Sequence, residues 1–217
     1  MPGARSTRSD YDLVVPLGNR WNRLRYTAWA PLYDVVIGFR RQRRESIAAL
    51  ALSPRARVLV VGAGTGLDLP WLPEDARVLA TDLTPAMLRR ARPRLRPGYA
   101  LTVMDGHRLA LRDASVDGVV LHLILAVIPD PVLCLREAAR VVKPGGRLSV
   151  FDKFLPDGGA ASWPRRAAGV VAELVATSIN RRLGDIVAAA GVGLVVERDE
   201  PAAFGSFFRS VTLRRPS

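Results

Sequence analysis

The sequence predicts an α/β fold: a Rossmann-like seven-stranded, mostly parallel sheet with helices on both faces and an antiparallel last strand. Strand-like and helix-like segments alternate five times, and the links between them are short. The first of these strands ends in a glycine-rich loop, as ligand-binding strands of such sheets do. The chain closes with two strands whose link is too short for a helix, which predicts a hairpin and reverses the last strand.

The length and composition predict one domain, because 217 residues with 49% hydrophobic side chains can fill a normal core. Residues 1–18 have no periodicity and predict a flexible lead. Residues 19–54 predict two helices separated at Pro31, with a row of aromatic side chains that could form a lid or substrate segment. Residues 55–217 are predicted to form the ligand-binding domain.

The first predicted strand is the continuous apolar run at 58–61, which is typical of a strand buried on both faces. It is followed by predicted strands at 77–82, 99–104, 114 to about 121 and 147–151, and by the closing pair at 194–198 and 207–214. Thr84 and Asp130 predict helix starts as N-caps, each followed by proline. A turn is predicted at 143–146 and helical structure at 162–190.

The glycine loop has the pattern G-x-G-x-G, with Ala63 and Thr65 between Gly62, Gly64 and Gly66. Leu67 stands where a dinucleotide-binding G-x-G-x-x-G loop has its third glycine, and no lysine follows as in a phosphate-binding loop. The pattern therefore favours a cofactor without phosphate.

Polar residues are predicted to meet at the carboxyl edge of the sheet, where such folds bind ligands. Asp82 ends the second strand and could accept hydrogen bonds from ribose hydroxyls, or it could be an ordinary cap or turn residue. Asp105, with Gly106, could bind an adenine amine or simply form a turn. Leu83 and Met87 would supply apolar walls for the base.

Two further strand ends carry candidate catalytic residues. His122 could act as a general base, or it could line the pocket without transferring a proton. Asp152 is the second candidate, with Lys153 beside it as a substrate contact, although the two could instead form an ion pair that holds the strand end.

The net charge of +12 comes almost entirely from arginine, a bias that genome composition explains as readily as function. The alternative is contact with an anionic membrane, since Arg40, Arg41, Arg43 and Arg44 follow the aromatic segment. Nucleic acid is disfavoured because few aromatic residues lie among the later arginines. The single cysteine, Cys134, predicts a buried apolar role, and the absence of a long apolar segment or signal peptide predicts a cytoplasmic protein.

Four segments together carry a family resemblance: VLVVGAGTGLDL, ATDLTPAMLRRAR, VMDGHRLALRDASVDGVVLHLILAVIPDP and CLREAARVVKPGGRLSVFD. They resemble the class I S-adenosylmethionine-dependent methyltransferases, in particular the branch with ubiquinone/menaquinone and bacterial phosphatidylethanolamine methyltransferases. The resemblance covers residues 33–153. It implies that S-adenosyl-L-methionine binds with its methionine part along Gly62, Ala63, Gly64 and Gly66, its ribose at Asp82, and its adenine at Asp105 and Gly106.

One position departs from that family's pattern. Val60 stands where many members have an acidic residue that orients the methionine end, and Asp68 is the residue that could take over part of this task. Weaker cofactor binding, or a non-catalytic binding protein or partner subunit, is the alternative that this departure raises.

The acceptor is predicted to be apolar or amphiphilic. The segment LHLILA replaces the Asn-Pro-Pro-aromatic tetrad of many nucleic-acid amino-methyltransferases. A quinone precursor, a phospholipid amine or a secondary metabolite is therefore expected, with S-adenosyl-L-homocysteine as the other product. Tyr26, Trp29 and Tyr33 are candidate acceptor contacts, and the same aromatic segment could alternatively pack against a second copy in a homodimer.

Overall fold

The computed structural model describes residues 39–154, 181–203 and 207–217. Seven strands form one sheet in the order β3-β2-β1-β4-β5-β7-β6. The strand bounds are Arg57–Val61 (β1), Arg77–Asp82 (β2), Tyr99–Val103 (β3), Val116–His122 (β4), Val142–Lys153 (β5), Val195–Ala203 (β6) and Phe208–Arg214 (β7). The described α-helices are Arg40–Ala48 (α1), Pro85–Ala91 (α2), Pro131–Val141 (α3) and Leu183–Ala190 (α4).

The direction of the strands confirms the predicted topology. β3, β2, β1, β4 and β5 pair in parallel, whereas β7 is antiparallel to both of its neighbours, β5 and β6. Because the parallel strands run the same way, β1, β2, β4 and β5 end at one edge of the sheet. This edge is the one that the sequence predicts for the ligand.

Side chains alternate across the sheet and form a core on each face. Leu59 and Val61 of β1 pack in the larger cluster, which includes residues of α3 and α4. Val58 and Val60 pack in the other cluster, together with Ile47 of α1. The continuous apolar run in β1 is therefore explained by burial on both faces.

Two predicted boundaries are wrong. The turn expected at 143–146 is part of β5, because Gly145 N donates to Arg215 O and Arg215 N donates to Gly146 O, which ties this stretch to the end of the chain. β6 continues beyond residue 198 to Ala203 and includes Pro201. Proline is tolerated there because β6 lies at the edge of the described sheet, and one side of its backbone has no strand neighbour among the described residues.

Both predicted N-cap positions are confirmed, but only Asp130 caps its helix with a side-chain hydrogen bond. Asp130 Oδ1 accepts from Leu133 N, as an N-cap should. Thr84 precedes α2 with Pro85 in the first turn, but the Thr84 side chain makes no capping hydrogen bond. The predicted helices at 19–38 and 162–180 lie outside the described residues. Within the described part of the chain, no helix is long and apolar enough to cross a membrane.

Candidate functional site

The glycine loop after β1 takes a conformation that favours glycine at three positions. Gly62, Gly64 and Gly66 have φ angles of 66°, 56° and 82°. A Cβ on Gly62 would lie 2.6 Å from Ile124 Cδ1, whereas a Cβ on Gly64 would meet nothing within 4 Å. The loop is therefore packed against the segment after β4 at Gly62 and open at Gly64.

Asp82, at the end of β2, connects the glycine loop to the start of α2. Gly64 N donates to Asp82 Oδ2 and Thr84 N donates to Asp82 Oδ1, each at 2.8 Å. Burial raises the pKa of the Asp82 carboxyl, and the two backbone hydrogen bonds oppose this shift. A carboxylate oxygen has room for more than one hydrogen bond, so both oxygens can also accept from ligand hydroxyls.

Asp105 follows β3 and is oriented by His107. His107 N donates to Asp105 Oδ1 at 2.9 Å, and His107 Nδ1 lies 2.7 Å from the same oxygen. Asp130 N donates to His107 Nε2 at 3.1 Å, so the ring proton of neutral His107 is on Nδ1 and points to Asp105. A Cβ on Gly106 would lie 3.0 Å from Val61 Cγ1, which brings this turn against the end of β1.

One pocket at the carboxyl edge brings together nearly all the residues predicted to bind the cofactor. Gly66 is the exception: it is buried, and a Cβ there would lie 3.0 Å from both Ala91 Cβ and Leu69 Cδ1, so it serves packing. The predicted residues that line the pocket are Gly62, Ala63, Gly64, Asp68, Asp82, Leu83, Met87, Asp105, Gly106 and His122.

A buried ion pair forms part of the pocket wall beside the glycine loop. Arg43 Nη1 lies 2.7 Å from Asp68 Oδ2, and the two side chains are 4% and 5% exposed. Asp68 Oδ1 lies 2.6 Å from His122 Nδ1. Burial opposes ionisation of the Asp68 carboxyl, but the charges of Arg43 and His122 and their hydrogen bonds outweigh it and hold its pKa well below the usual range.

Arg43 is the pocket residue that the sequence interpretation missed. It was grouped with the exposed arginines of a membrane-contacting surface, and this grouping is wrong for Arg43, which is 3% exposed. Arg40, Arg41 and Arg44 are exposed. Helix spacing alone did not identify it, because Arg44 also lies three positions before the buried Ile47 and is nevertheless exposed.

Asp152 and Lys153 end β5 but do not line the pocket. Asp152 accepts from Ala126 N at 2.9 Å and from Lys153 N at 2.8 Å. Burial raises the pKa of Asp152 to about 6, and burial lowers the pKa of Lys153 against the charge of Asp152. The carboxylate holds the backbone of the segment after β4, and its catalytic role stays a prediction, as does that of His122.

Other predicted residues have simpler outcomes. Cys134 is confirmed as a buried core residue, and burial raises the pKa of its thiol to about 12. Tyr26, Trp29 and Tyr33 lie outside the described residues, so their acceptor contacts stay predictions.

The pocket fits S-adenosylmethionine chemically. It offers an open loop at Gly64, two carboxylates near strand ends at Asp82 and Asp105, and the buried Arg43 guanidinium, whose Nε has no hydrogen-bond partner among the described residues. Leu83 and Met87 add apolar side chains to the lining.

Comparisons with known proteins identify the family. Residues 59–150 match a methyltransferase domain model. The chain is 35% identical over 140 residues to a phosphatidylethanolamine N-methyltransferase from Cereibacter sphaeroides, covering 62% of this chain and 68% of the relative. It is also 35% identical over 154 residues to the ubiquinone/menaquinone biosynthesis C-methyltransferase UbiE from Acidiphilium cryptum, covering 64% of this chain but only 62% of that relative.

A solved structure shows the same fold over almost the whole chain. The Haemonchus contortus phosphoethanolamine N-methyltransferase 2, in complex with S-adenosyl-L-methionine, superposes with a TM-score of 0.74 at 15% identity, covering 94% of this chain and 61% of that one. Taken with the glycine loop, the strand-end carboxylates and the relatives above, this places the protein in the class I S-adenosylmethionine-dependent methyltransferases, the family to which the chain belongs.

Proposed function

We propose that this methyltransferase acts on a lipid-like or small apolar acceptor: a quinone precursor, a phospholipid amine or a secondary metabolite. The observation that carries the proposal is the wall formed after β4. There Leu123, Ile124 and Val127 line the pocket in succession and offer only apolar side chains. Two relatives support the same class of acceptor by their names, a phosphatidylethanolamine N-methyltransferase and a ubiquinone/menaquinone biosynthesis C-methyltransferase.

The residues of the chain have mainly a positioning task. When bound, S-adenosylmethionine supplies an electrophilic methyl group, so little acid–base chemistry is required of the protein. Gly62 and Gly64 let the backbone approach the ligand, and Asp82 and Asp105, which line the same pocket, are proposed to bind its ribose and adenine. The apolar wall excludes water and aligns the acceptor. Residues 19–38 are proposed as the lid, with Tyr26, Trp29, Tyr33 and Lys153 as acceptor contacts.

The backbone of Leu123, at the start of this wall, is held in an unusual conformation. Its φ angle is 56°, unusual for a residue with a branched side chain, and its N donates to Phe151 O at 2.8 Å. Arg181 fixes the same segment further along, donating to Leu125 O at 2.5 Å and Ile128 O at 2.6 Å. The wall is thus held by Phe151 of β5 and by Arg181, which precedes α4.

The test is methyl transfer from S-adenosylmethionine with a labelled methyl group to three kinds of acceptor: a demethylated quinol, phosphatidylethanolamine in mixed micelles, and small phenols. Mass spectrometry identifies the product. We expect a methylated product from one of these acceptors and none from single-stranded RNA or DNA. Methylation of nucleic acid alone would contradict the proposal.

A contact with anionic membranes is proposed as the way in which a lipid-like acceptor is reached. Arg40, Arg41 and Arg44 of α1 are exposed, and the net charge is +12. Co-sedimentation with phosphatidylglycerol vesicles should decrease as salt rises, and phosphatidylcholine vesicles should not bind. Equal binding to both kinds of vesicle would argue against this contact.

A further inference from the structure

A chain of buried polar side chains connects the pocket to the last turn of α1. Arg43 and His122 both contact Asp68, and His122 Nε2 lies 2.9 Å from Ser149 Oγ. Ser149 Oγ in turn lies 2.8 Å from Ser46 Oγ and 2.9 Å from the Ser46 carbonyl oxygen. All five residues are more than nine-tenths buried. Their polar hydrogen atoms must therefore be donated to one another rather than to solvent.

The Ser46 carbonyl determines where the Ser149 hydrogen is. In a continuing helix, Leu50 N would donate to Ser46 O, but it donates to Ile47 O instead. The orphan carbonyl therefore needs the Ser149 hydroxyl, since a carbonyl oxygen can only accept. Ser149 has one hydroxyl hydrogen, so its oxygen accepts from its other two neighbours, Ser46 Oγ and His122 Nε2. Ser46 can donate because its own oxygen accepts from Ser210 Oγ at 3.0 Å.

The other ring nitrogen of His122 must also carry a proton. Nδ1 lies 2.6 Å from Asp68 Oδ1, and Asp68 also receives Arg43 Nη1 at 2.7 Å. A carboxylate between two such partners accepts from both. With Nδ1 and Nε2 both donating, His122 is an imidazolium whose side chain is 0% exposed. It then has no lone pair with which to act as the general base that the sequence suggested.

The charges of this cluster do not cancel. Arg43 and His122 are two cations, and Asp68 is one carboxylate. Arg43 Nε is buried and has no hydrogen-bond partner in the described structure. Arg43, Asp68 and His122 all line the pocket beside the glycine loop. A buried positive charge with an unused donor requires an anion for full stabilisation.

We infer that the Arg43–Asp68–His122 cluster is a carboxylate site, and that it holds the α-carboxylate of the methionine part of the cofactor. The carboxylate is the one anionic group of S-adenosylmethionine, and the loop lacks the lysine of a phosphate site. Because Val60 replaces the usual acidic residue, this position has no carboxylate to bind the ammonium group of the methionine end. The methionine end is recognised through its own carboxylate instead. Arg43 is the binding residue, and His122 and Asp68 position it. The inference rests on the cofactor of the proposed function.

Calorimetry with a matched ligand pair tests the site: S-adenosylhomocysteine and its decarboxylated analogue, which keeps the amine. The wild-type protein should bind S-adenosylhomocysteine roughly tenfold to a hundredfold more tightly, as expected for a charge-assisted hydrogen-bonded pair. Arg43→Gln should reduce this preference to about threefold or less. The control Arg44→Gln, at an exposed position on the same helix, should keep it.

The outcomes separate this inference from the proposed function. Equal affinity of the wild-type protein for the two ligands would overturn the assignment of this cluster to the carboxylate of the cofactor, while leaving cofactor binding itself in place. The same equal affinity would be measured if the cluster bound a carboxylate on the acceptor, and the inference would be overturned in that case too. Binding of neither ligand would contradict the proposed function itself. Because the comparison of the two ligands uses the wild-type protein, it tests the inference even if the Arg43→Gln variant fails to fold.

The protonation of His122 is tested separately by nitrogen-15 NMR of the wild-type protein labelled at histidine. The chain has two histidines, and His107→Gln assigns the signals. At pH 7.5 both ring nitrogens of His122 should show protonated shifts, and adding S-adenosylhomocysteine should leave them protonated. A ring nitrogen without a proton would overturn the imidazolium assignment and the charge balance on which the site depends.

Discussion

Asp82 has a structural task, and we propose a ligand-binding task for the same residue. Its oxygens accept from Gly64 N and Thr84 N, which fixes the glycine loop relative to α2. The same oxygens are the proposed acceptors for ribose hydroxyls. Loss of this carboxylate should therefore affect ligand binding more than overall stability, because the rest of the loop is supported by backbone hydrogen bonds such as that from Ala63 N to Thr81 O.

We predict that Asp82→Ala weakens S-adenosylhomocysteine binding by roughly a hundredfold or more, the value expected for losing hydrogen bonds to a charged acceptor. Isothermal calorimetry measures the change. Asp185→Ala, at an exposed carboxylate in α4, is the control and should bind as the wild type does. An unchanged affinity in Asp82→Ala would remove Asp82 from the cofactor site.

We predict that the unfolding free energy of the protein depends on pH through Asp152, because burial raises the pKa of Asp152 to about 6 from 3.8. The folded state then binds more protons than the unfolded state between these values, so the stabilisation present at low pH is lost as pH rises through about 6. Relative to the non-titrating variant Asp152→Asn, the unfolding free energy of the wild type should fall by about 2 kcal/mol between pH 4 and 7. Urea unfolding at several pH values measures this difference, and a constant difference would be the contrary result.

At the scale of elements, the glycine loop and the segment after β4 are held together by a close approach at Gly62. Gly62→Ala would place Cβ 2.6 Å from Ile124 Cδ1 and would also strain a φ angle of 66°. Gly193→Ala is a matched control, since its φ angle is also 66° but nothing lies within 4 Å. The two variants share the backbone strain, so any difference between them reports the clash.

We predict that both variants lose about 1 to 2 kcal/mol of stability from backbone strain, and that Gly62→Ala alone also weakens S-adenosylhomocysteine binding by more than about tenfold. Thermal unfolding and calorimetry measure the two effects. Equal ligand affinity in both variants would show that the approach of the loop to Ile124 does not shape the site.

A second element-scale contact closes the C-terminal end of α3. Arg215 Nη1 donates to the carbonyl oxygens of Ala139, Arg140 and Val142 at 2.9, 2.9 and 2.7 Å. Ala139 and Arg140 belong to the last turn of α3 and Val142 begins β5, so one guanidinium ties the helix end to the strand; Arg140 O also accepts from Ala114 N at 3.0 Å. We predict that Arg215→Ala lowers the unfolding free energy by about 1.5 to 3 kcal/mol and leaves ligand binding unchanged. Chemical denaturation tests this, with the exposed Arg112→Ala as control; equal stability of the two variants would contradict it.

At the scale of the whole molecule, the alternation of strands and helices was enough to predict the topology. The strand-end positions of Gly62, Asp82 and Asp105 followed directly, because parallel strands share one carboxyl edge. The length of β5 through Gly145 and Gly146 could not be predicted, since it depends on pairing with Arg215 at the distant end of the chain. Local sequence there resembles a turn, and tertiary contacts override it.

The site was predicted less completely than the fold, for the same reason. Arg43 is one of several arginines in a short helix, and its burial depends on Asp68 and His122, which are brought to it by two other elements. The hydrogen bonds of His122 likewise depend on Ser149 in β5, so its protonation could not be inferred from its place at the end of β4 alone.

Calorimetric titration of the wild-type protein with S-adenosylmethionine and S-adenosylhomocysteine tests most directly whether the pocket at the carboxyl edge binds the methyl donor. We expect one site per chain for each ligand, with micromolar or tighter affinity. Absence of binding by both ligands to the folded protein would show that the pocket does not bind the methyl donor.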